Sequence, residues 1–164
     1  VLSHREVLPG DVAAICAFPQ SAEELYFLFP RATFPLTPAQ LHRSMAQRFG
    51  ATVVLDDGKV CGFANLFRKD GTAGCAIGNV IVAPDARARG VGRYLIETMV
   101  RTALALDPAG EVRISCFNRN VAGLLLYGKL GFVPFAVEQR LDPLGARVAL
   151  IHLRLSDEAR RRLG

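Results

Sequence analysis

The chain has 164 residues, 51% of them hydrophobic, enough for one well-cored domain and too few for two ordinary ones. A formal charge of +5 favours an anionic partner such as a phosphorylated cofactor, a nucleic acid or an acidic substrate, and is equally met by arginines that keep a small domain soluble. The four cysteines, Cys16, Cys61, Cys75 and Cys116, include no Cys-x-x-Cys pair and no histidine at zinc-ligand spacing, so no structural metal is expected and a reducing, cytoplasmic setting is.

In chain order, Ser3–Leu8 alternates weakly and predicts a strand, after which Asp11 can cap a short helix running to Phe18. Ser21-Ala22-Glu23-Glu24 has the form of a capping box and Thr37-Pro38-Ala39-Gln40 repeats the device, predicting helices near 22–28 and 38–49. Ala51–Leu55 and Val60–Phe67 predict strands joined by a tight hairpin at Asp57-Gly58, and a turn at Lys69-Asp70-Gly71 leads into a third strand, Cys75–Val82. Val91, Leu95, Met99 and Ala103 recur every fourth residue, the mark of an amphipathic helix, which Asp107-Pro108 ends. Glu111–Phe117 predicts a strand and Val121–Leu130 a helix closed by Gly131. Phe132–Gln139 and Arg147–Leu155 then form a hairpin around Asp142-Pro143-Leu144-Gly145. Residues 1–156 read as a single domain and 157–164 as a solvated basic tail. The fold class is α/β (α+β), a mixed sheet with helices on both faces, and the apolar segments 12–17 and 146–155 are too short or too charged to span a bilayer.

The junction Val80-Ile81-Val82-Ala83-Pro84-Asp85-Ala86-Arg87-Ala88-Arg89-Gly90-Val91-Gly92-Arg93 passes from a β-branched run through a basic, glycine-spaced turn into a helix. A helix start has unpaired N–H groups and the positive end of the macrodipole, and glycines let phosphate oxygens approach the main chain. A pyrophosphate suits such a seat, with Arg87, Arg89 and Arg93 adding charge. No Gly-Lys-Ser/Thr follows, so this is not a Walker A loop, and the third glycine and downstream acid of the dinucleotide fingerprint are missing, which weakens both nucleotide readings. A plain strand-to-helix corner is the competing reading.

Asn118-Arg119-Asn120 follows the next strand directly, and Asn120-Val121-Ala122-Gly123-Leu124-Leu125-Leu126-Tyr127-Gly128-Lys129-Leu130-Gly131-Phe132 runs through a short helix into a Gly-Phe stop. Taken with Arg87-x-x-Gly90-x-Gly92, this resembles the acyl-CoA signature of the GNAT N-acetyltransferase superfamily, and the element order agrees from Ser3 to Leu155. The resemblance implies a mostly antiparallel sheet in which two parallel strands, here Cys75–Val82 and Glu111–Phe117, splay to admit the pantetheine arm of acetyl-CoA. It places main-chain groups of Val80, Ile81 and Val82 on that arm, and Arg87, Ala88, Arg89, Gly90, Val91, Gly92 and Arg93 around the pyrophosphate. Asn118 and Asn120 would hydrogen-bond the arm or its thioester end, Asn120 doubling as a helix cap.

Tyr127 would protonate the departing thiolate, against the alternative of a packing aromatic. The reaction implied is direct attack of a primary amine, small molecule or peptide, on the thioester, with N–H groups near Val80 stabilising the oxyanion. Ala76 stands where histone-type relatives carry a glutamate base. The proton could leave through water held by Ser115 or main-chain groups, with Glu24, Glu97 and His152 as remoter candidates. The acceptor is expected beside Tyr26, Phe27, Phe29 and Phe34, with Glu23 or Glu24 attracting a cationic amine. No metal, nucleic acid or membrane partner is expected, the chain reads as monomer or homodimer, and a non-catalytic acyl-CoA sensor is the alternative function.

Overall fold

The computed structural model describes residues 1–69 and 71–164. One sheet runs in the order β1-β2-β3-β4-β5-β7-β6. Its strands are β1 (Leu2–Glu6), β2 (Phe49–Asp56), β3 (Lys59–Phe67), β4 (Cys75–Val82), β5 (Val112–Phe117), β6 (Phe132–Leu141) and β7 (Arg147–Leu155). The helices are α1 (Val12–Cys16), α2 (Ala22–Leu28), α3 (Pro38–Ala46), α4 (Val91–Leu106), α5 (Val121–Leu130) and α6 (Asp157–Leu163). Every neighbouring pair is antiparallel except β4–β5, which is parallel, so the expected mixed sheet is present.

Register assigns the two faces. Asn65 pairs with Gly78 and Phe67 with Ala76, so these side chains share one face, which α2 and α3 cover: Asn79 reaches the Leu28 carbonyl and the Ser44 hydroxyl there. Gly62 points to the other face, where a Cβ would meet Val91 and Leu95 of α4 at 3.3 and 3.6 Å. Leu95, Ile96, Met99 and Val100 of α4 are fully buried, as the four-residue spacing requires.

Asp57 and Gly58 both take positive φ, 47° and 86°, in the two-residue hairpin that an Asp-Gly pair favours. The turn expected at Lys69-Asp70-Gly71 includes Asp70, which lies outside the described residues. Helix α3 stops at Ala46 because Phe49 already pairs with Leu66 as the start of β2. The tail expected to be solvated is instead helix α6. Ser156 caps it, Ala159 and Leu163 are buried, and Arg160 and Arg162 donate to the carbonyls of Gly110, Pro108 and Leu130. A helix this short shows only two apolar residues among its arginines, of which Arg160 and Arg162 find carbonyl partners.

Asp11 stands at the expected N-cap of α1, but its side chain makes no capping bond to that helix. Its carboxylate takes Nη1 and Nη2 of Arg5 at 2.7 and 3.0 Å and the Leu8 N–H at 2.7 Å, tying β1 to the turn before α1. The Arg5 guanidinium first, and then the Leu8 N–H, hold its carboxyl below the usual value against the opposing effect of burial. A depressed carboxylate contributes stability above its unfolded pKa of about 4 and loses it as pH falls through the lower folded value. Asp11→Asn is therefore expected to cost about 1–3 kcal/mol at neutral pH and to flatten the loss of stability in acid. Denaturant melts of both proteins across the acid range check this, and identical curves would contradict it.

Candidate active site

The β4–β5 pair is short. Cys75, Ala76 and Ile77 pair with Val112, Arg113 and Ile114, and nothing pairs beyond them, although β4 continues to Val82 and β5 to Phe117. The facing edges of Gly78–Val82 and Ser115–Phe117 are left open to main-chain partners.

The cause lies in β4. Phe63 pairs with Ile81 and Asn65 with Gly78, so β4 carries one more residue than β3 over this span, and Asn79 absorbs it as a bulge with φ 51°. Its side chain fixes the bulge from three directions. Ser44 Oγ and Asn65 Nδ2 donate to Asn79 Oδ1 at 2.7 and 2.9 Å, and Asn79 Nδ2 donates to the Leu28 carbonyl at 2.6 Å. A bulge bends its strand, which turns the end of β4 away from β5.

Beyond β4 the chain makes the turn singled out in the sequence. Ala88 and Gly90 are both left-handed, at φ 59° and 83°, and Gly90 caps α4 with no side chain over the first N–H groups. At Gly92 the helices approach closely, since a Cβ there would stand 3.2 Å from the Leu126 side chain of α5 and 3.7 Å from that of Val82. Helix α4 thus starts against the open end of the splay. The arginines of this turn are engaged by carboxylates in this structure. Arg87 pairs with Glu24, Arg89 with Asp56 at 3.1 Å, and Arg93 with Glu97 at 2.9 Å. Arg119 pairs with Glu23 at 2.8 Å, so α2 is tied to both loops that border the opening. Glu23 and Glu24, expected to attract a cationic amine, are thus each paired with an arginine in this structure. The expected aromatic slot also changes: Tyr26 and Phe27 pack on Phe117 with ring centroids 4.7 and 6.1 Å apart, whereas Phe29 belongs to the main core and Phe34 is exposed.

Asn118 and Asn120 have structural partners. The Ala149 N–H donates to Asn118 Oδ1 at 2.9 Å, and the Gly123 N–H donates to Asn120 Oδ1 at 3.1 Å, capping α5. Both keep their amide N–H groups without an acceptor among the described residues. Tyr127 is buried edge-on to Phe132, its hydroxyl bonded to no described residue. Since no sealed side-chain oxygen or nitrogen among the described residues lacks a partner, that hydroxyl still meets solvent. Burial first, then the neighbouring Cys116, push its phenol above the usual value, so it stays protonated. Burial also raises all four thiols, Cys116 to about 12, which leaves no thiolate nucleophile at neutral pH.

Ser115 is the first residue of β5 beyond its pairing with β4. Its Oγ lies 2.7 Å from His152 Nδ1 on β7, and His152 Nε2 lies 3.0 Å from Glu138 Oε1 on β6. Arg140, and then His152, hold the Glu138 carboxyl below its usual value. This line of three groups was not legible in the sequence, because it depends on β7 lying between β5 and β6. Of the three remoter base candidates, Glu24 is held by Arg87 and Glu97 by Arg93 and Arg101, while His152 reaches the splay through Ser115.

No protein of curated function matches the sequence significantly. Solved structures do match in fold. A candidate phosphinothricin N-acetyltransferase shares 21% identity, with TM-score 0.76 over 96% of this chain and 100% of its own. The ribosomal-protein-S18-alanine N-acetyltransferase of Escherichia coli shares 21%, with TM-score 0.72 over 94% of this chain and 93% of its own. A candidate acetyltransferase of Salmonella typhimurium, solved with its cofactor acetyl-CoA, shares 20%, with TM-score 0.75 over 94% of this chain and 93% of its own. The model of the acetyltransferase (GNAT) family matches residues 18–132, which hold the bulge, the glycine turn, Ser115 and Tyr127, and the chain belongs to that family.

Proposed function

We propose that the protein is an N-acetyltransferase that moves the acetyl group of acetyl-CoA onto a primary amine by direct attack. The observation that carries this reading is the opening of the parallel pair beyond Ile77 and Ile114, which leaves two facing strand edges without partners. An extended arm bearing amides fills such a gap as an added strand does, and Val80, Ile81 and Val82 present the edge on β4. The pyrophosphate then lies on residues 87–93, from Arg87 through Ala88, Arg89, Gly90 and Val91 to Gly92 and Arg93. Exposed ion pairs are worth only about 0–1 kcal/mol, so the arginines there exchange carboxylates for phosphate at little cost. The free amide N–H groups of Asn118 and Asn120 donate to the arm.

Acetyl-CoA supplies an activated carbonyl, and the protein supplies the alignment and the proton paths. The amine loses its proton through Ser115, whose hydroxyl passes its own to His152 Nδ1 while Nε2–H stays on the ionised Glu138. At the other side of the sheet Tyr127, kept protonated by burial, donates to the departing sulfur. With the cysteines held as thiols, no acyl-enzyme is needed. The family and the acetyl-CoA-bound Salmonella relative support the donor. The acceptors named for the relatives, phosphinothricin in one and a ribosomal-protein alanine in another, differ, so the fold alone does not choose between them.

Thermal melting with acetyl-CoA, CoA and NAD, followed by thiol release against amines and alcohols, tests the reading. Stabilisation by the CoA species alone and release that requires an amine are expected. Release with alcohols only would refute N-transfer, and stabilisation without any release would leave a sensor. Tyr127→Phe is expected to lower kcat about 10- to 100-fold with CoA affinity unchanged. Equal kcat would remove Tyr127 from the mechanism.

A further inference from the structure

The geometry points to an acceptor that carries an anionic group beside its amine, a small zwitterion such as an amino acid, with Arg48 as the anion's partner. This rests on the acetyltransferase reading above.

Arg48 follows α3 and lies over β4. Its guanidinium stacks on Phe67 at 4.4 Å from the ring centroid, and Nη1 donates to Asn65 Oδ1 at 3.1 Å. It also occupies the space above Gly78, where any Cβ would collide with Nη1. Among the described residues no carboxylate pairs with it, whereas Arg5, Arg87, Arg89, Arg93, Arg113 and Arg119 all have one. Burial, and then the charge of Arg31, push the Arg48 guanidinium below its usual value, the direction expected of a desolvated cation without a counter-ion. A partly buried charge of this kind is costly until an anion arrives.

The rest of the guanidinium fork has no acceptor among the described residues. No sealed side-chain nitrogen or oxygen among them lacks a partner, so those N–H groups open to solvent. A planar fork with a free edge matches a carboxylate or a related oxyanion.

Its position ties it to the reaction. Ile77 and Ile114 are the last paired residues of the parallel strands, so Gly78 and Ser115 are the first unpaired ones, facing each other at the vertex of the splay. Ala76 pairs with Arg113 and Phe117 with Leu150, which puts Gly78, Ser115 and His152 on the same sheet face. Arg48 therefore stands on one side of the vertex and the Ser115–His152 pair on the other. An amine that approaches Ser115 brings its own neighbouring group to Arg48. A plain cationic amine meets repulsion there, strengthened by Arg31.

Matched pairs of α-amino acids and their amides, titrated by calorimetry into the CoA-loaded protein and assayed for thiol release with acetyl-CoA, test the proposal. Each acid is expected to bind about tenfold or more tightly than its amide and to show the lower KM. Arg48→Gln should bring that ratio near one by raising KM for acids about tenfold more than for amides. The exposed Arg31→Gln should lower the ratio about two- to threefold, and it serves if Arg48→Gln does not fold. Amides that bind as well as acids, or an Arg48→Gln protein that loses both alike, would overturn the proposal. Failure of the acetyltransferase reading is distinct: CoA itself would not bind, or no amine of any class would release thiol while the calorimetric preference for acids over amides still stood.

Discussion

His152→Gln is expected to lower kcat by about 100-fold or more while leaving CoA affinity unchanged. Of Glu24, Glu97 and His152, the imidazole is the one joined to the splay: Nδ1 lies 2.7 Å from Ser115 Oγ, and Glu138 fixes the other ring nitrogen at 3.0 Å. An amine reaches the site mostly as ammonium, so a step that removes its proton limits the rate below the amine's own pKa. The defect should therefore shrink as pH rises, when free amine arrives without help. Glu138→Gln, which only orients the ring, should cost about tenfold, in line with a group that acts through another. Steady-state kcat over a pH series reads all three proteins. A His152→Gln protein within twofold of the parent at every pH would assign proton removal to solvent.

Gly74→Val should be the most destabilising single change at the site's foundation, by about 3 kcal/mol or more, which lowers the melting temperature by roughly 6–12 °C. Gly74 is left-handed at φ 82°, and a Cβ there would collide with the backbone of Glu111. Backbone cannot yield as a flexible side chain does. The same Glu111 carbonyl accepts the Cys75 N–H at 3.0 Å, the contact that starts the short parallel pair. Gly145 is the control: at φ 81° with nothing near its Cβ position, Gly145→Val carries only the conformational cost, about 1–2 kcal/mol. Equal melting temperatures for the two variants would show that the Gly74–Glu111 contact is not needed.

Local signals were readable where the chain decides its own geometry. The Asp57-Gly58 hairpin, strand Cys75–Val82 and helix Val121–Leu130 with its Gly131 stop stand where turn chemistry and periodicity put them. In the glycine turn the expected special geometry is present at Gly90, which is left-handed, whereas the close approach of Gly92 to Leu126 of α5 appears only in the fold. What sequence reading missed depends on partners far apart in the chain. The Asn79 bulge is held by Ser44, Asn65 and Leu28 from three different elements, so no local pattern announces it. Glu23 and Glu24 look like free acids until α2 folds against Arg119 and Arg87. Arg48 lies at the exit of a helix, where a basic residue is ordinary, and becomes notable only when β4 passes beneath it with glycine at position 78.

Amide hydrogen exchange with and without CoA tests the central claim most directly, because it asks whether the open strand edges are the binding slot. The account predicts that CoA slows exchange within residues 78–82 and 115–120 and in the turn 87–93, while the paired stretches of β2, β3 and β7 are unchanged. Binding of CoA with no added protection in the facing edges of β4 and β5 would contradict it.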